Sequence, residues 1–335
     1  MADFRVGLRG FLTGLLEAES ADARIALEAG CLDDSAWDVA DPVNRLTGPE
    51  EIFEGLILPL RKALAHARRR DILFLGGRNV RRDTAIWCAS LAHYVGCHDE
   101  PLFGAPPSGR LAFLRSGEFY RVDDAGRIAE AKIILDLVDL MRQAGRMPLP
   151  DMLGTEMVFP APATQDGLAP SVGDGARSLA LVERMLDGLG SYDPDTFASD
   201  GQTGNEGSWH EDMLWYGPGG VGSSYRWKGF VDDHRAAFLR AFPDREGGDH
   251  YCRIGDGNYA AVSGWPSMTM THEGPYLGIE PTGKKLTLRV MDFYRCAGGK
   301  IMENWVCLDY VDLFRQMGVD LLARANDAFG STRTI

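Results

Sequence analysis

The sequence predicts an α+β protein built as two tandem copies of one cone-shaped domain, each a strongly bent antiparallel sheet wrapped around helices. Three observations carry this. The length of 335 residues exceeds the roughly 250 at which a single hydrophobic core stops growing. The C-terminal half repeats the N-terminal half with a period of about 174 residues. Within a copy, helices come first and long strands follow, an order that lays a twisted sheet over helices on one side and leaves one end open. An open cone has a pocket.

The repeat is read directly from the residues. GCHDEPLFGAPPSGRLAFLRSGEFYR, Gly96 to Arg121, returns as THEGPYLGIEPTGKKLTLRVMDFYR, Thr271 to Arg295, so that His98 falls on His272 and Phe119-Tyr120 on Phe293-Tyr294. After a one-residue gap, GRIAEAKIILDLVDLMRQAG returns as GKIMENWVCLDYVDLFRQMG. The first copy is placed at residues 1–147, a Pro/Gly-rich linker at 148–175 and the second copy at 176–330. Proline and glycine interrupt every helical or strand period in the linker, while its Met152, Met157, Val158 and Phe159 predict that it lies across a surface and that the copies pack together.

Element by element, the second copy opens with a helical pattern, ARSLALVERMLDGL, then a short strand in GSWHEDMLWYG. GFVDDHRAAFLRAFP is an amphipathic helix ending before Pro243. Strands follow in DHYCRIG, NYAAVSGWPSMTMTH, KKLTLRVMDFYRC and KIMENWVCLDYV, joined by turns at Asp256-Gly257, Pro281-Thr282-Gly283 and Gly298-Gly299, and VDLFRQMGVDLLARAND closes the copy as helix.

A net charge of −13 argues against nucleic acid and anionic membrane, since both need a basic field. Arg68, Arg69, Arg70, Arg78, Arg81 and Arg82 form the one basic cluster, read as a solvated turn or domain contact before an anion site. The six cysteines show no CxxC pair and no ligand spacing with the seven histidines, so no metal is expected, and the thiols are read as reduced core residues of a cytoplasmic protein. No stretch approaches the roughly 18 apolar residues of a membrane span. There is no GxSxG elbow or Walker A motif, and the one GxGxxG spacing, Gly217 to Gly222, follows no strand-to-helix phosphate context and is not read as a nucleotide cradle.

The segment LGIEPTGKKLTLRVMDFYRCAGGKIMENWVCLDYVDLFRQMG resembles the closing strands of SnoaL-like polyketide cyclases, of the nuclear-transport-factor-like superfamily. There a His before a proline turn, an acidic strand residue, a GKIxExW strand and a following Asp recur. The resemblance covers roughly 110 residues of each half. It implies a cone-shaped α+β barrel and a cofactor-free, metal-free aldol-type cyclisation with a carboxylate as general acid/base. Family cyclases are single-domain chains, and in the first copy Lys132 stands where the pattern has Trp, so the active site is expected in the second copy.

Strand alternation puts Asp292 in the apolar row of Leu286, Leu288, Val290 and Tyr294, as a cavity acid or as a buried ion-pair partner. Glu118 is its counterpart in the first copy. His272, with His98 as its equivalent, is placed to share a proton with the acid, or is a hydrogen-bonded structural residue. Glu303, Trp305, Cys307 and Asp309 share one face of the last strand, read as part pocket and part rim. Asp309 and Asp136 precede a helix start and are read as caps ahead of a catalytic role. A second-copy surplus of aromatics, with Trp209, Trp227, Trp265, Trp305 and His234 as candidate binding residues, suits an apolar or aromatic small-molecule ligand. The loop Gly217 to Ser224 is read as a lid or a plain glycine loop. The expected function is a cofactor-independent cyclase-type enzyme, with a non-catalytic ligand-binding protein as the alternative. Packing of the copies within the chain is expected, with a homodimer left open.

Overall fold

The computed structural model of the chain describes residues 4–150, 152–169 and 172–327. In the first half, α1 (Phe4–Glu17) and α2 (Ser20–Gly30) precede β1 (Cys31–Val39) and β2 (Asn44–Thr47). Next, α3 (Gly48–Ile52) runs through a π turn, Phe53–Ile57, into α4 (Leu58–Ala63). The long strands β3 (Leu64–Arg78), β4 (Ile86–His98), β5 (Leu111–Val122) and β6 (Ile128–Leu135) follow, closed by α5 (Leu137–Gln143). The second half repeats the plan: α6 (Gly175–Gly188), β7 (Trp209–Tyr216), β8 (Ser224–Tyr225) and α7 (Arg226–Phe230). It continues with a π turn, Val231–Arg235, and α8 (Ala236–Ala241). Then come β9 (Glu246–Gly247), β10 (His250–Asp256), β11 (Tyr259–Thr271), β12 (Lys285–Ala297), β13 (Lys300–Leu308), α9 (Tyr310–Met317) and α10 (Leu321–Asp327).

Each half is one open sheet, ordered β2-β1-β6-β5-β4-β3 and β8-β7-β13-β12-β11-β10, with β9 paired to β11. The sheets are mixed rather than wholly antiparallel, and neither closes into a barrel. The reason is chain order: the first strand of each half pairs in parallel with the last, β1 with β6 and β7 with β13, after the intervening helices have carried the chain across. The helices bury apolar stripes in the concave side, as α1 does with Leu8, Leu12, Leu15 and Leu16 at helical spacing.

The ladders confirm the duplication. Phe119 lies opposite Ala89 and Lys132, and Phe293 opposite Ala261 and Trp305. The two sheets pack back to back through Leu75, Trp87 and Phe119 on one side and Tyr251, Met291, Phe293, Trp305 and Cys307 on the other. The equivalent rings of Phe119 and Phe293 meet with centroids 5.7 Å apart. Gly117 lets the sheets approach, since a Cβ there would stand 3.0 Å from Cys307 Sγ.

The connecting segment is laid across this junction, as its apolar residues suggested. Phe159 is buried, Trp305 Nε1 donates to Pro160 O at 3.1 Å, and Phe74 N donates to Gly167 O at 2.8 Å. The loop Gly217–Ser224 is no lid. All eight of its residues are buried at the junction, Gly219 N donates to Asp136 Oδ2 at 2.8 Å, and a Cβ on Gly219 would fall 2.5 Å from Asp139 N. The arginine cluster is divided between turn and strand: Arg81 and Arg82 lie exposed in the turn after β3, where Arg82 pairs with Asp249 of the other half. Arg68–Arg70 lie on β3, whose period-two alternation sends Arg68 and Arg70 outward and Arg69 into the cone. All six cysteines are free, and Cys97 alone is exposed.

Candidate active site

The second cone holds a cavity of 330 Å³. Its floor is the concave face of the sheet: Leu288, Val290, Asp292 and Tyr294 from β12 and Asn304, Val306 and Leu308 from β13. Its walls are Met185 and Leu189 of the α6 end, Trp209 and Trp215 of β7, and Phe230, His234, Arg235 and Phe238 around the π turn. The β9–β10 region, with Arg245, His250 and Arg253, forms the remaining side.

Asp292 sits where alternation placed it. Protein surrounds it, and it keeps some accessible surface because it borders the cavity. Asn304 Nδ2 donates to its Oδ1 over a long 3.3 Å, and the Tyr294 hydroxyl adds a second hydrogen bond. No cation among the described residues forms an ion pair with it. Burial therefore pushes its carboxyl up to about 7, with the two hydrogen bonds opposing.

The first cone is filled at the same place. Glu118 is fully buried and takes a bidentate pair from Arg69, Nη1 at 3.0 Å and Nη2 at 2.7 Å. Ser116 Oγ and Tyr120 Oη donate to it at 2.8 and 2.7 Å, and Tyr94 Oη donates at 2.5 Å. Burial alone would raise the Glu118 pKa, but the Arg69 charge and these donors hold it below the usual carboxylate range. The ladders show what differs. Arg69 lies opposite Tyr94, which lies opposite Leu114, whereas Gly247 lies opposite Met268, which lies opposite Leu288. Gly247 and Met268 thus occupy the stations of Arg69 and Tyr94, and the volume of the missing guanidinium and phenol is left to the cavity.

Several expected site residues lie elsewhere. His272 does not reach Asp292, because Asp292 pairs with Val262 while Thr271 pairs with Lys285 at the far end of the same strands. It is fully buried, its Nδ1 accepts from Thr282 N at 3.3 Å, and its backbone closes the proline turn through Lys284 O and Gly283 N. Burial lowers its pKa, as it does for His98, whose backbone holds the equivalent turn through Arg110 O and Gly109 N. The face with Glu303 and Trp305 packs on the first half instead of lining the pocket. Glu303 pairs with Arg295 and accepts from Tyr216 Oη at 3.1 Å, and Trp305 stacks on Tyr216. Asp309 caps α9 through Asp312 N at 3.2 Å, binds Arg289 at 2.9 Å and accepts from Asp41 N of the first half at 3.1 Å. Burial pushes it up to about 6. Asp136 caps α5 in the same manner and pairs with Arg115 at 3.2 Å. Trp265 packs toward the junction, under Arg289 at 4.8 Å, and Trp227 backs the wall against Trp209 at 6.2 Å. Of the binding candidates, Trp209 and His234 line the cavity. His234 stacks on Trp215 with centroids 4.4 Å apart, and burial, with Arg235 and Arg245 nearby, pushes its pKa down to about 3. Among the described residues no group of three or more His, Cys, Asp or Glu converges as a metal site, and no helix is long and apolar enough to cross a membrane.

The second half is thus an open α+β cone with a cavity whose floor holds a carboxylate that makes no ion pair with a described residue. The family model for SnoaL-like polyketide cyclases matches residues 85–144 and 206–317, together just over half of the chain, and the chain belongs to that family. No curated protein matches it. Similar solved structures include AclR from Streptomyces galilaeus, at 20% identity over 43% of this chain and 87% of that one, with a TM-score of 0.34. IdmH from Streptomyces antibioticus is similar at 22% identity over 41% and 98%, with a TM-score of 0.32. An NTF2-like protein from Burkholderia xenovorans LB400 is similar at 14% identity over 43% and 98%, also with a TM-score of 0.32.

Proposed function

We propose that the second half is an acid/base catalyst of the cyclase or isomerase type, acting on a small carbonyl compound held in the cavity, and that the first half is its structural support. The observation that carries this is the contrast between Asp292, which borders a cavity and makes no ion pair with a described residue, and Glu118, locked to Arg69. A carboxyl held near neutrality can take a proton from a carbon next to a carbonyl and return one to the oxygen that becomes an alkoxide or enol. In an aldol-type closure the pair of electrons left on carbon forms the new C–C bond while the accepting carbonyl oxygen gains the proton. The apolar floor, Leu288, Val290, Val306 and Leu308, and the indoles of Trp209 and Trp215 suit an apolar or aromatic skeleton.

Incubation with a panel of aryl ketones in D₂O, read by NMR for exchange at the α-carbon, tests the proposal. Exchange with the native protein and none with Asp292→Asn is the expected result. Equal exchange with both rejects it. A second reading, binding without turnover, is favoured by one observation: among the described residues no histidine hydrogen-bonds Asp292, whose side-chain partners are Asn304 and Tyr294.

A further inference from the structure

One side of the cavity carries charge that the proposed proton chemistry leaves unexplained. Arg235, on the π turn, is 5% exposed, and Arg245 follows α8; both line the cavity. Arg235 Nε donates to Phe197 O at 2.7 Å and another of its nitrogens to Ser199 Oγ, and Arg245 Nη2 donates to Leu189 O at 2.6 Å. Their planes also rest on rings, Arg235 on Trp227 at 5.8 Å and Arg245 on Tyr192 at 5.2 Å. These partners are all neutral.

A buried guanidinium ordinarily has a carboxylate, as Arg69 and Arg115 do here. Neither Arg235 nor Arg245 makes an ion pair with a described residue. The acids at the same cavity are Asp292 on the floor and the exposed Asp187 and Glu246, and none of the three makes an ion pair with either arginine. Burial and the neighbouring Arg245 push Arg235 down to about 10, and burial lowers Arg245 as well. A guanidinium stays protonated at neutral pH, so two like charges share one wall of the cavity and neither has an ion-pair partner among the described residues. The third arginine, Arg253, is already engaged, with Glu183 at 3.0 Å and His250 at 3.2 Å.

Resting on the reading of Asp292 as the reacting group, we propose that the substrate carries a carboxylate, held by Arg235 and Arg245, with its apolar carbonyl-bearing part over Asp292. An anion there supplies the missing counter-charge and meets planar N–H edges that suit two-oxygen recognition. It also fixes which end of the substrate faces the floor. A neutral ester would leave both guanidiniums unpaired.

The test uses 2-naphthoate, methyl 2-naphthoate and 2-naphthyl phosphate as probes, with affinity read by quenching of tryptophan fluorescence and by calorimetry on the full chain. The native protein should bind the carboxylate about tenfold more tightly than its ester. Arg245→Gln should erase that preference with ester affinity unchanged, and Arg245→Lys should restore part of it. Arg245 is half-buried at the edge of the site, so Arg245→Gln should fold where Arg235→Gln could fail, and a melting curve of each variant checks this. Equal affinity for acid and ester, binding of neither, a preference that survives Arg245→Gln, or tighter binding of the phosphate would each overturn the carboxylate assignment. Asp292→Asn separates the two readings. Loss of exchange with the acid preference intact supports both. Retained exchange with a preference that maps to Arg245 overturns only the catalytic reading, and lost exchange without any preference overturns only the anion site.

Discussion

The two equivalent acids should respond in opposite directions to loss of their charge. Glu118→Gln breaks a bidentate pair in which both side chains are almost fully buried. Removing one partner of such a pair costs about 3–5 kcal/mol, and the Arg69–Asp71 contact at 2.8 Å places the expected loss at the lower end, about 3 kcal/mol. Asp292→Asn removes a charge that the fold disfavours. The Asp292 pKa of about 7 lies above the unfolded value near 4, so its burden on stability is absent below about pH 4, grows as pH rises to about 7 and is complete above that. A gap of about three pH units corresponds to at most about 4 kcal/mol, so Asp292→Asn should be more stable than the native protein at pH 8 by a few kcal/mol and nearly equal to it at pH 4. Glu118 has the reverse sign. Its pKa is held below the unfolded value, so its contribution is present above that value and is lost as pH falls through the folded one. Urea denaturation of the three proteins at pH 8 and pH 4 measures both effects. A loss for Asp292→Asn as large as that for Glu118→Gln at pH 8 would refute the reasoning, since it would mean that Asp292 also holds a structural pair.

Two further substitutions probe how the fold makes the site. Gly247→Arg with Met268→Tyr rebuilds the first half's network in the second; a Cβ on Gly247 meets nothing within 4 Å, so the double variant should fold, close the cavity and abolish quenching by 2-naphthoate. Gly219→Ala should lower stability by about 1–3 kcal/mol in urea denaturation, because its methyl group would press on the Asp139 backbone at the junction of the halves.

Much of this was legible in the sequence, for identifiable reasons. The repeat predicted the register of Phe119-Tyr120 and Phe293-Tyr294, because identical strands must pair alike. Alternation found Asp292 because β12 sets one polar residue in an apolar row. The same rule failed on β13, which is buried on both faces from Glu303 to Leu308, so alternation could separate the faces but not say which one meets the pocket. Asn304 was missed for that reason. His272 misled because recurrence in both copies reads the same for a turn anchor as for a proton carrier. The π turn that brings His234 and Arg235 to the cavity left no sequence signal, since it differs from its flanking helices by one hydrogen-bond step. Nor could pattern alone tell that Gly247 stands at the station of Arg69, because the two strands differ in length and only the ladder aligns them.

The central claim is that Asp292 is the reacting group and that its cavity sets its acidity. The pH dependence of α-proton exchange in D₂O, followed by NMR on one responsive ketone between pH 5 and 9, tests it most directly. If Asp292 acts as the base, the rate should rise with pH and level off with an apparent pKa near 7, matching the carboxyl that burial has raised. A rate that is flat across this range, or that persists unchanged in Asp292→Asn, would contradict the account.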